Sequence, residues 1–180
     1  AKMPSRFLSI PLAVAPCGLA DLLAGKQGLD FMLMDDATAA GVPIVSLEHW
    51  SLVIDQMRAP SLDEQIATLE LGLLPIEMQS EMFVAMFDSY LSGNIAEVWE
   101  ASRIALNYVP GLDPALGQAL FDEAEQMLLI DRNHNWMPVI ADAMTTADRA
   151  VIAVGAAHLP GHDGILQLLE NDGWTITARD

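Results

Sequence analysis

At 180 residues the chain is long enough to bury a real core, and 52% apolar residues with a mean hydropathy of +0.31 argue against a disordered polypeptide. Eight Lys and Arg against 25 Asp and Glu leave a net charge of -17, which argues against binding to nucleic-acid phosphates or to an anionic membrane surface. No run of about 18 apolar residues occurs, so no membrane-spanning helix is expected.

The simplest organisation is a single domain over residues 1–180. Residues 1–25 are rich in Ala, Pro and Gly and read as a loop with one short helix at Leu19–Ala24. The chain opens at Ala1 without a basic and apolar leader, so an extracytoplasmic location would require a signal segment upstream. Cys17 is the only cysteine; it forms no internal disulfide and reads as a small inert hydrophobe. Leu29–Ala40 predicts a helix stopped by Gly41, and Val42–Leu47, β-branched around Pro43, predicts a strand. Glu48 and His49 then stand at that strand's exit.

From Trp50 to Ala143 the pattern is helical with short breaks. Ser61, with Asp63 and Glu64 behind it, caps a helix to Leu74 that Pro75 ends. Ile76–Leu91 is a second helix, with Met78, Met82, Met86, Phe83 and Phe87 spaced for one face and Gly93 as its stop. The ten Met residues read as core filling rather than as a docking groove. Asn94 can cap a third helix reaching Leu106. Asp113 caps a fourth, with Pro114 at its first position, and that helix carries Arg132 and Asn133. Pro138 lies within it, and a kink or break is expected there.

The carboxyl-terminal part reads as strand, loop, helix, strand. Ala150–Val154 is wholly apolar, as in a strand buried on both faces. Gly155 and His158 follow it as G-x-x-H. Pro160, Gly161 and Gly164 interrupt regular structure before Ile165, Leu166, Leu168 and Leu169 give a helical stripe. Gly173 closes that helix, and Trp174–Ala178 returns as a strand. The expected fold is therefore helix-rich α/β. A small mixed β-sheet from Val42–Leu47, Ala150–Val154 and Trp174–Ala178 packs against a helix cluster, with G-x-x-H on the last β-α-β unit. Ligands of open α/β sheets collect beyond the carboxyl ends of strands, where both Glu48 and His158 would stand.

Four side chains carry candidate chemistry. His158 can ligate a metal or exchange a proton, and Glu48 offers a carboxylate for either role. Arg132 presents a fork for a carboxylate or an oxyanion, and Asn133 can hold a ligand or backbone through donor and acceptor together. Arg132 and Trp136 at i and i+4 can stack. The plainer alternatives are a hydrogen-bonded strand-end histidine, a polar strand exit, and a surface ion pair of Arg132 with Asp131 or Glu125. His134 and His162 read as solvent-facing, and Asp163 as a helix cap. His158 and His162 have H-x-x-x-H spacing, but Pro160-Gly161 between them removes the helical geometry of a metal pair.

Arg132-Asn133 with Trp136, then Val154–His158 (VGAAH), then Leu159-Pro160-Gly161, Asp163-Gly164, Leu168-Leu169 and Gly173-Trp174, together resemble the TraB/GumN family, which is similar to the TIKI proteases. The resemblance runs back through Leu91–Asn94 and Val42–Glu48 to Gly28-Leu29-Asp30. The amino-terminal G-x-x-H segment usual in that family has no counterpart here, so an amino-terminally incomplete domain is expected. The resemblance implies a metal-dependent, peptidase-like hydrolase using a divalent Mn, Co or Zn ion on a peptide or protein substrate. It implies His158 as metal ligand, Glu48 as ligand or base, Arg132 as anion stabiliser and Asn133 beside them, with Glu48, Arg132 and His158 converging in one cleft. The alternative is a non-catalytic binding module, or a degenerate family member, that self-associates as a homo-oligomer through an open apolar face.

Overall fold

A computed structural model describes residues 16–58, 75–108 and 111–178. The chain divides into two compact units, Ala1–Ala85 and Met86–Asp180. In the first, α1 spans Pro16–Leu23, α2 Leu29–Ala40 and α3 Ser51–Arg58, and α4 (Ile76–Leu91) begins there and ends in the second unit. The second unit continues with α5 (Ile95–Ala105), α6 (Pro114–Glu125), α7 (Asp131–Thr146) and α8 (Ile165–Asn171). The predicted helix from Ser61 to Leu74 and the Cys17 side chain lie outside the described residues.

Stop signals are obeyed closely. Gly41, Gly93 and Gly173 each take a left-handed conformation, with φ of 69°, 78° and 91°. After each, the chain turns back on its own helix: Val42 N–H donates to the Ala37 carbonyl, Asn94 to Ser89 and Trp174 to Leu169, at 2.8–3.0 Å. This is the pattern in which an αL residue lets its own amide and the following one satisfy the last carbonyls. At the other end, the Asp113 carboxylate accepts from Leu116 N–H at 2.9 Å, with Pro114 at the first helical position. Asn94 stands at the N-cap of α5 but its side chain makes no capping bond.

The expected β-sheet is absent: among the described residues every regular element is helical, and the fold is not α/β. Val42–Leu47, Ala150–Val154 and Trp174–Ala178 are irregular chain, so there is no β-α-β unit. A strand exists only through a ladder to a neighbour, and apolar, β-branched composition predicts suitability for a ladder rather than its presence. Burial agrees, since Val151 is 85% exposed where a strand covered on both faces was expected. The methionine stripe of α4 also departs from expectation. Met82, Met86 and Phe87 are exposed, because apolar periodicity specifies a helix face without specifying what covers it.

Between α6 and α7 the helix runs on without a break through one π-helical segment, Gln126–Ile130. Pro138 does not break α7, which continues eight residues further to Thr146. The loss of one amide donor is tolerated where the flanking turns are already packed. The packing is real on one face. Asn133, Trp136 and Ile140, spaced i, i+3, i+7, are all buried, and so are Ile165 and Leu169 of α8. Each large side chain in that α7–α8 core contributes about 1.5–3 kcal/mol by leaving water. On the neighbouring helices the Trp99 indole donates to Glu125 at 2.7 Å and its ring meets Phe121 at 5.0 Å, tying α5 to α6.

Candidate functional site

The site begins with how the G-x-x-H stretch folds. Ala156–His158 is a 3₁₀ turn in which His158 N–H donates to the Gly155 carbonyl at 2.9 Å. Leu159–Gly164 then curls back tightly, with Gly161 at φ 93°. Gly164 is the N-cap of α8, and a Cβ there would fall closer than 3.0 Å to the carbonyl oxygens of Leu159 and Pro160. Only glycine fits. The curl turns His158 inward, 7% exposed, against the buried face of α7.

Asn133, 2% exposed, meets it there. Its Nδ2 donates to the His158 carbonyl at 3.2 Å and to the Asp163 carbonyl at 2.8 Å, while its Oδ1 lies 2.7 Å from His158 Nδ1. These three contacts determine each other. Two backbone carbonyls can only accept, so the amide nitrogen must face them and the amide oxygen must face the imidazole. His158 Nδ1 therefore carries a proton and donates it to Asn133. In the neutral ring the lone pair then falls on Nε2, the atom that can bind a cation or take a proton.

Trp136 lies beside both. Its ring centroid is 4.5 Å from that of His158, and the Arg132 guanidinium carbon lies 4.8 Å from the indole centroid. The i, i+4 stacking expected of Arg132 and Trp136 is present. Arg132 is half-buried and also donates to the Leu128 carbonyl at 3.3 Å. Nearby, Glu125 accepts from Trp99 at 2.7 Å and Asp131 from Gln126 at 2.6 Å.

Arg132, Asn133 and His158 are thus gathered around Trp136 in the second unit. Glu48 belongs to the first unit, half-buried in the bend before α3. The contact of its neighbour His49 is local, with His49 Nδ1 accepting from Ser51 N–H at 3.3 Å at the start of α3. Among the described residues no three His, Cys, Asp or Glu side chains come together as a metal shell. His158 Nε2 suits a divalent ion as a single ligand atom, but a complete set is not assembled among the described residues of the second unit.

Asp163 does not cap α8 as its position suggests. It accepts from His134 Nε2 at 2.8 Å and from His162 Nδ1 at 3.4 Å. The His134 hydrogen bond, with a smaller share from His162, holds the Asp163 carboxyl below its ordinary range. Sequence reasoning assigned His134 to solvent; it is exposed, yet it also reaches across to this loop. No periodicity marks such a pair, because its two residues are 29 apart in the chain.

The TraB/PrgY/gumN family matches the chain over residues 1–178. The chain belongs to that family. A search of the curated proteins and of the solved structures finds no match. Among the described residues no helix of this TraB/PrgY/gumN member is long and apolar enough to cross a membrane.

Proposed function

We propose that this family member is a peptidase-like hydrolase in which His158 Nε2 is the working atom. The observation that supports this reading is the Asn133 amide, fixed by two carbonyls and thereby fixing the proton of His158 on Nδ1. With the proton fixed on Nδ1, Nε2 is the ring atom that a ligand or a base would use, and its orientation is set in advance. Asn133 supplies that orientation without a countercharge. Arg132, spread over the Trp136 ring that also packs on His158, keeps a permanent positive charge that could stabilise an oxyanion developing on a cleaved carbonyl. A divalent ion bound at His158 Nε2 would supply Lewis acidity toward a carbonyl or water. Glu48 is assigned to the same reaction by its motif alone, as a further ligand or a base.

Titration calorimetry with Mn²⁺, Co²⁺ and Zn²⁺ on wild type and His158→Ala, followed by cleavage of an unstructured peptide substrate, tests the proposal. Micromolar binding and cleavage, both lost in the variant, are expected. Unchanged binding and cleavage in His158→Ala would remove His158 from the reaction.

A second reading, a binding module that self-associates, draws on the first unit. There Phe31, Met34, Val45 and Trp50 are between 48% and 72% exposed. Sedimentation velocity would separate a concentration-dependent dimer from a monomer over the micromolar range.

A further inference from the structure

Of the two carbonyls that orient the Asn133 amide, that of Asp163 makes the shorter bond, and Asp163 is held to α7 twice. Its carbonyl accepts from Asn133, and its carboxylate accepts from His134, the next residue along the same helix. The first tie is part-buried and the second exposed, with side-chain exposures of 52% for His134 and 35% for Asp163. Nothing in the packing of the α7–α8 core requires the second tie. Asp163 does not serve as the N-cap of α8, a position taken by Gly164 without any side-chain bond. The carboxylate of a residue that neither caps nor fills the core instead spans from the loop to the helix that carries the site.

We propose that His134 and Asp163 are positioning residues for His158. Their side-chain pair pins the Leu159–Gly164 curl on α7, which keeps the Asp163 carbonyl on Asn133 Nδ2, which in turn keeps the Asn133 oxygen on His158 Nδ1–H. The chain of ties runs from an exposed His134–Asp163 hydrogen bond to a buried imidazole through three hydrogen bonds of 2.7–2.8 Å. His162 is the other titratable group facing the carboxylate, at 3.4 Å and 91% exposed, and is too loosely held to replace His134. The proposal rests on the reading of His158 as the working residue, but its consequence is a property of the ring and not of turnover.

Side-chain ¹⁵N NMR reads that property directly, because protonated and bare imidazole nitrogens resonate far apart. The variants are His134→Ala and Asp163→Ala, with His134→Gln and Asp163→Asn as partners that keep a donor or an acceptor in place. In the two alanine variants the Nδ1–H to Nε2–H ratio of neutral His158 should fall by about two- to fivefold, the size of an exposed pair's contribution. The conservative variants should stay near wild type. His134→Ala changes an exposed helix position and no residue of the loop, so it reports even if Asp163→Ala fails to fold. An unchanged ratio in folded His134→Ala would overturn the proposal, as would an equal change in His134→Gln. Loss of peptide cleavage plays no part in the reading, so a failure of the hydrolase assignment is separately visible.

Discussion

Asn133 offers the sharpest test, because replacing it by Leu and by Ala separates hydrogen bonding from packing. Both substitutions orphan the same three groups: the His158 and Asp163 carbonyls and His158 Nδ1–H. An unsatisfied buried group costs about 1–3 kcal/mol, so loss of all three with no replacement is worth about 3–9 kcal/mol. Leu fills the space with methyl groups and keeps water out, so it should incur the full cost. Ala leaves room on the order of one water molecule, which can re-bond two or three of the groups and reduce the loss to about 2–4 kcal/mol. Urea unfolding followed by tryptophan fluorescence and far-ultraviolet dichroism, compared at equal slope, gives the ranking wild type, then Ala, then Leu. A purely packed site gives the reverse, since Leu preserves volume and Ala creates a cavity. Asn133→Leu as stable as Asn133→Ala, or within about 1 kcal/mol of wild type, would refute the hydrogen-bond argument.

Gly164→Ala should cost about 3 kcal/mol or more, because the new Cβ meets two backbone oxygens that cannot swing aside, and the same scan reads it. The Asp163 carboxyl titrates lower in the folded chain than in the unfolded one, where about 3.9 is usual, so its contribution is complete above that value. It is lost as pH falls through the lower folded value, and Asp163→Asn should therefore converge with wild type in acid-unfolding curves below about pH 4. A constant gap across that window would contradict the pairing with His134. Asp113→Ala should remove about 1 kcal/mol, the usual worth of an N-cap acceptor, in urea melts.

What could be read from the chain alone followed the range of the forces involved. Helix ends were legible because caps are local: Gly41, Gly93, Asp113 and Gly173 act within a few residues of themselves. The three strands were not. Ala150–Val154 has the right composition, but a strand depends on a partner that no local pattern supplies, and Val151 in fact faces solvent. At Pro138 the helix does not break, since neighbouring turns hold it together. At the site, Arg132, Asn133 and His158 were named from motif chemistry, and the i, i+4 contact with Trp136 from helix geometry. That Asn133 binds His158 from 25 residues away was invisible to any period. So was the partnership of Asp163 with His134, where a plausible helix cap turned out to serve a different helix.

Everything proposed for this site depends on Asn133 holding His158 with its proton on Nδ1. A long-range ¹H–¹⁵N correlation on uniformly labelled wild-type protein, recorded above the histidine titration range and assigned with His158→Gln, measures this in one spectrum. A protonated Nδ1 and a bare Nε2 are expected for His158. A bare Nδ1 with the proton on Nε2 would contradict this, and with it the aim of this histidine at a metal ion or a proton.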